Sequence, residues 1–163
     1  MAAPRPDPLA FFLTWTTYGT WLPGDGRGWT DSDGVVRESN LRLAHSSATL
    51  VRSPPVVFDD HERAAVAHAI GDHCRARDWS LHALACRTTH VHAVISATGH
   101  APAAVMGQLK AWASRRLAAL PAGQRAKRTW TRGGSARWLW DEQALAQTVT
   151  YVAECQDGPR FGR

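Results

Sequence analysis

Residues 89–95 read THVHAVI, a run rich in β-branched residues in which two histidines stand on either side of one valine. The run predicts a buried strand. In a strand, alternate side chains share a face. His90 and His92 therefore point the same way, close enough to share one metal ion.

The segments around this strand constrain the fold further. Residues 9–17 (LAFFLTWTT) are aromatic and β-branched and predict a first strand. Gly19, Pro23, Gly24, Gly26 and Gly28 then break regular structure, and Asp33-Gly34 suits a hairpin tip. Residues 37–57 read as irregular and end in Ser53-Pro54-Pro55; so long a connection is usually functional or partly mobile. Asp59 and Glu62 have capping-box spacing and open a helix with Ala65, Val66, Ala69, Ile70 and Cys74 on one face. Arg75 and Arg77 favour its C-terminal dipole. Residues 79–87 form a second strand and 90–97 the third. Pro102 fits the first turn of a helix striped by Val105, Met106, Leu109, Ala113, Leu117 and Leu120.

Trp130-Thr131-Arg132 and Arg137-Trp138-Leu139-Trp140 flank Gly133-Gly134, as a short hairpin or one broken strand. Asp141 caps a last helix running to about Gln156, with Leu145, Val149 and Val152 inward, and Gly158-Pro159 stops it. The first six elements match the split βαβ order of ferredoxin-like folds. The expected fold is α+β: a central antiparallel sheet with an extra C-terminal helix. One domain is expected over 9–157, with an irregular insertion at about 18–57 and flexible tails at 1–8 and 158–163.

A net charge of +5 and a pI near 9.7 favour a polyanionic partner, nucleic acid being the commonest. Only Lys110 and Lys127 among nineteen basic residues are lysines. Arginine grips phosphate bidentately, but a high-GC genome enriches it too. Cys74, Cys86 and Cys155 form no CxxC pair, which suits reduced thiols in a cytosolic protein. No apolar run is long enough for a membrane span, and the N-terminus lacks an apolar signal core. Eight tryptophans are many for this length; most belong in the core, and a few are candidates for stacking on bases.

Tyr151 lies on the last helix, off its apolar stripe, with Gln147, Thr148, Glu154 and Cys155 on its side. Alone, a helical tyrosine is a packing residue, and a lone HxH pair is two unrelated imidazoles. Together, His90-Val91-His92, a ferredoxin-like order and one tyrosine on the final helix resemble the single-tyrosine HUH transposases, and among them the REP-associated tyrosine transposases. FFLTWTTYGTWLPGDGRG, RTTHVHAVISA, MGQLKAWASRRL and RTWTRGGSARWLWDEQALAQTVTYV carry the resemblance, over about residues 9–157.

The resemblance implies that His90 and His92 ligate Mg²⁺ or Mn²⁺, and that Tyr151 attacks a phosphate of single-stranded DNA at a hairpin or repeat. A 5′-phosphotyrosine and a free 3′-OH follow. It further implies a cytoplasmic, nucleoid-associated protein, monomeric or homodimeric. Relatives carry Gln or Asn as a third ligand four residues after the tyrosine; here that position is Cys155. Gln156 is the first candidate instead and Glu154 the second. Arg87, Lys110, Arg115, Arg116, Arg132 and Arg137, with Trp130 and Trp138, are the candidate DNA contacts. Two other readings stay open: a domesticated binder of structured DNA or RNA, and a metal-dependent phosphodiesterase that uses water.

Overall fold

The computed structural model describes residues 7–30, 35–121 and 128–154. The expected turn at Asp33-Gly34, and Cys155, Gln156 and the C-terminal tail, lie outside the described residues. In chain order the elements begin with β1 (Ala10–Thr16), β2 (Trp29–Thr30), β3 (Val36–Arg37), α1 (Leu41–Thr49) and α2 (Asp60–Ala76). They continue with β4 (Ser80–Cys86), β5 (His90–Ser96), α3 (Pro102–Ala118), β6 (Ser135–Leu139) and α4 (Glu142–Glu154).

Four strands make one antiparallel sheet in the order β4-β5-β1-β6. Without the small β2–β3 ribbon and α1, this is the split βαβ arrangement expected from the sequence. β1 lies at the centre, and its alternation divides the molecule. Phe11, Leu13 and Trp15 face the side covered by α2 and α3, with Val91, Ala93 and Ile95 of β5 beside them. Val66, Ile70, Val105 and Leu109 close this main core. Phe12, Thr14 and Thr16 face the other side, where α4 packs only against a small cluster around Ala10, Val94, Leu139 and Val152.

The helix starts follow the local chemistry read from the sequence. Asp59 and Glu62 form a complete capping box, and the Asp141 carboxylate accepts from the Ala144 amide at 2.7 Å. The insertion departs from expectation. Within the stretch read as irregular, α1 is a helix capped by Asn40, whose side chain accepts from the Leu43 amide. It is nine residues long and buries no residue, so it lies outside both apolar clusters of the fold. Gly24, at positive φ, lies so close to Asn40 and Ala44 that a Cβ would collide with their backbone.

Of the two readings for residues 130–140, the broken strand is correct. Trp130 bridges Thr17, and Ser135 pairs with Thr14, so both ends run along β1 while 131–134 bulge out. Gly134, at φ 156°, makes the close approach possible. A Cβ there would lie 2.7 Å from the Thr14 carbonyl oxygen and 2.5 Å from the Met106 sulfur.

Candidate functional site

Strand periodicity brings the two histidines together as expected. On β5, His90 and His92 project to the α4 side, their ring centroids 4.8 Å apart and nearly perpendicular. Across the β1–β5 register, His92 lies opposite Thr14 and His90 opposite Thr16. The His92 Nδ1 and the Thr14 hydroxyl share a hydrogen bond of 2.8 Å. Phe12 stacks on the His92 ring at 5.5 Å and 21°.

α4 delivers Tyr151 to the same place. Its ring centroid lies 6.4 Å from that of His92 and 6.1 Å from that of Phe12, edge-on to both. Val152, the next residue, is buried in the α4–sheet cluster and fixes the helix rotation. Tyr151 itself is 44% exposed and borders a surface hollow with Ala146, Gln147 and Thr150. A half-exposed phenol beside paired imidazoles can reach a substrate arriving from solvent.

Burial, with smaller contributions from His90 and Arg87, pushes the His92 imidazole down to about 4. His92 is therefore neutral near pH 7, the form in which imidazole donates a lone pair to a metal. The pair thus fits two donor positions of a metal site. Among the described residues, no third His, Cys, Asp or Glu is grouped with the pair, and the second candidate for a third ligand is Glu154. Its exposed carboxylate lies at the last described turn of α4. Gln156 and Cys155 lie outside the described residues.

The expected DNA contacts separate. Arg137 joins the site: its guanidinium lies 5.5 Å above the Phe12 ring and donates to the Thr148 hydroxyl at 2.9 Å. Arg87, in the β4–β5 turn, is near enough for its charge to act on His92. Lys110 is held inside the fold, donating to the carbonyls of Thr131 (3.0 Å) and Gly133. Burial lowers its ammonium to about 8. Arg115 lies over Trp112, and Arg116 pairs with Asp72 of α2 at 2.9 Å, both on the α2–α3 side. Arg132 is exposed in the bulge.

Trp130 is a correction. It is only 8% exposed, packs edge-on against Trp15 and Phe58, and donates its indole N–H to Lys110 and Ser114. No base can stack on it. Trp138 keeps a free surface at 45% exposure and stacks on Trp140 with 8° between the rings. It packs on Phe11, however, and so lies on the face of the sheet opposite the histidines.

Phe12 and Thr14 are site residues that the sequence reading missed. Their alternation with Phe11, Leu13 and Trp15 was visible in β1. What was not visible was that β1 pairs directly with β5, which is a matter of sheet order. Cys74 and Cys86 carry free thiols, and burial raises them to about 11 and about 12, far from nucleophilic use.

No described helix is long and apolar enough to cross a membrane. No protein-family model matches the chain, and no curated protein matches it. Among solved structures, the chain is similar to a candidate transposase from Deinococcus radiodurans R1. The TM-score is 0.51 and the identity 16%, over 94% of this chain and 96% of that one. It is also similar to a REP-associated tyrosine transposase solved with a REP hairpin, with a TM-score of 0.49 and 13% identity, over 93% of this chain and 70% of that one. At 16% identity the likeness to the Deinococcus protein is one of fold, and the chain has that α+β fold.

Proposed function

We propose that the protein nicks and rejoins single-stranded DNA, with Tyr151 as nucleophile and His90 and His92 as metal donors. One observation carries this reading. Tyr151, on a helix about sixty residues after the histidines in sequence, is placed half-exposed within 6.4 Å of His92. The fold shared with a candidate transposase supports it, as does the motif resemblance.

His90 and His92 would hold a divalent cation, Mn²⁺ suiting imidazole better than Mg²⁺, and the bound ion would polarise the scissile phosphate. Gln156 is proposed as the third donor. The Tyr151 Oη forms a bond to phosphorus, losing its proton to solvent. The P–O3′ bond breaks, and the departing 3′ oxygen takes up a proton. The phosphodiester is exchanged for a phosphotyrosine, so a 3′-OH can attack in reverse without ATP. Phe12 holds Tyr151 and His92 by their rings. Arg137 and Arg87 supply positive charge on the same face. Trp138, stacked on Trp140, is a platform for bases at the β6 edge. The substrate would be a hairpin or repeat, met in the cytoplasm at the nucleoid by a monomer or homodimer.

The test is incubation with Mn²⁺ and single-stranded DNA from the gene's flanks. A band resisting SDS should form, and Tyr151→Phe should lose it together with cleavage. Cleavage surviving in Tyr151→Phe without an adduct would establish the water-using phosphodiesterase instead. A non-cleaving binder is the second reading, favoured by the lack of a third His, Cys, Asp or Glu beside the pair among the described residues. It would bind the same DNA and cut none at any Mn²⁺ concentration.

A further inference from the structure

We propose that Thr14 is a positioning residue of this site, its hydroxyl oxygen accepting the Nδ1–H of His92 and so holding the ring in the tautomer whose Nε2 carries the free lone pair. A neutral imidazole has one protonated and one bare nitrogen, and the partner of one nitrogen decides the role of the other. The His92 Nδ1 has that partner, the Thr14 Oγ1 at 2.8 Å. Were Nε2 protonated instead, the hydroxyl would have to donate to Nδ1, and His92 would have no nitrogen left to ligate a metal. The proposal rests on the reading of His90 and His92 as metal donors.

The placement is built by the fold. Thr14 and His92 are direct partners in the β1–β5 register, the closest approach that side chains on neighbouring strands make. Phe12, two residues before Thr14 on the same face, stacks on the ring. One strand therefore grips the imidazole twice, by its flat face and by its Nδ1 edge. Thr14 is fixed from the far side as well. Ser135 pairs with it, and Gly134 brings the β6 chain so close to its carbonyl that no side chain fits between. A ligating histidine held by a hydrogen bond on its other nitrogen is the usual means of aiming the donor atom.

The experiment is long-range ¹H–¹⁵N NMR of the metal-free protein with labelled histidine, joined to Mn²⁺ titration followed by electron paramagnetic resonance. The parent His92 should show a protonated Nδ1 and a bare Nε2. Thr14→Val removes the acceptor and keeps the shape. It should move His92 toward the Nε2–H form and weaken Mn²⁺ binding by about tenfold. Thr14→Ser, which keeps the oxygen, should restore both. If the added methyl of valine disturbs the sheet, Thr14→Ala removes the hydroxyl alone and should give the same tautomer change. A parent His92 protonated at Nε2 would overturn the proposal. So would parent-like nitrogen shifts and Mn²⁺ affinity in both Thr14→Val and Thr14→Ala. A parent with the expected tautomer that binds no Mn²⁺ and forms no DNA adduct would remove the nuclease reading while leaving the grip of Thr14 on His92 established.

Discussion

The two faces of the central sheet are made from the same strands yet are built differently. Toward α2 and α3, β1 and β5 present Phe11, Leu13, Trp15, Val91, Ala93 and Ile95, all buried in a continuous apolar core. Toward α4, the alternate positions of the same strands present Phe12, Thr14, His90 and His92, and the apolar contact shrinks to a small cluster. Among the described residues only α4 covers that second face, and Tyr151 on it is half-exposed. One residue along a strand thus separates a stabilising position from a chemical one. The first face can hold the sheet rigid while the second carries polar groups that no close-packed core would accept without partners.

The largest expected effect tests the chemical face alone. Tyr151→Phe removes one oxygen from a half-exposed ring. The DNA adduct should disappear on denaturing gels while stability to urea changes by less than about 0.5 kcal/mol. A large stability loss would mean that the hydroxyl belongs to the fold, and the division between faces would fail. The mirror experiment is Leu13→Ala, one residue before Thr14 on the opposite face. Leu13 is fully buried, and truncation should cost about 2–5 kcal/mol in urea unfolding. Adduct formation by the fraction that stays folded should persist.

Gly134→Ala probes the seam where β6 meets Thr14. The positive φ and the close carbonyl both oppose a side chain, with an expected cost of about 1–3 kcal/mol. Because Thr14 is the residue displaced, Mn²⁺ binding should weaken too, unlike in Leu13→Ala. Equal metal affinity in both variants would show that the seam does not reach the histidines.

The smallest effect concerns the partly buried thiol of Cys86, which borders the main core. Burial raises it from its ordinary value to about 12. A thiol with a raised native value contributes stability in full below the unfolded value near 9, and loses it as pH climbs toward 12. Between pH 8 and pH 10 the parent should therefore lose about 1 kcal/mol that Cys86→Ala does not lose, read from urea midpoints at the two pH values. Identical pH slopes would mean that the thiol is better solvated than its position indicates.

Period-two and period-3.6 patterns placed the strands and the main helices, because such patterns depend only on which face of an element meets water. For the same reason the shared face of His90 and His92 followed from their spacing, and both helix caps followed from side chains acting within one turn. α1 escaped because it is short and set among glycines and prolines, although Asn40 caps it and its residues are amphipathic. Trp130 was misread because basic neighbours suggest a surface, whereas its burial comes from Trp15 and Phe58, distant in sequence. Lys110 looked like a free cation off the apolar stripe, yet the bulge at 131–134 folds back over it and occupies its ammonium with carbonyls.

The sequence alone therefore determined the sheet strands, the three helices that pack on them, their order and the pairing of two imidazoles, since each depends on residues adjacent along one strand or one helical turn. Only the tertiary structure decided what surrounds those imidazoles. Phe12 and Thr14 reach His92 because β1 lies beside β5, and Tyr151 reaches it because Val152 anchors α4 across the same face. Strand order and helix docking are set by the best joint burial of the whole chain, a sum over distant contacts that no local window contains.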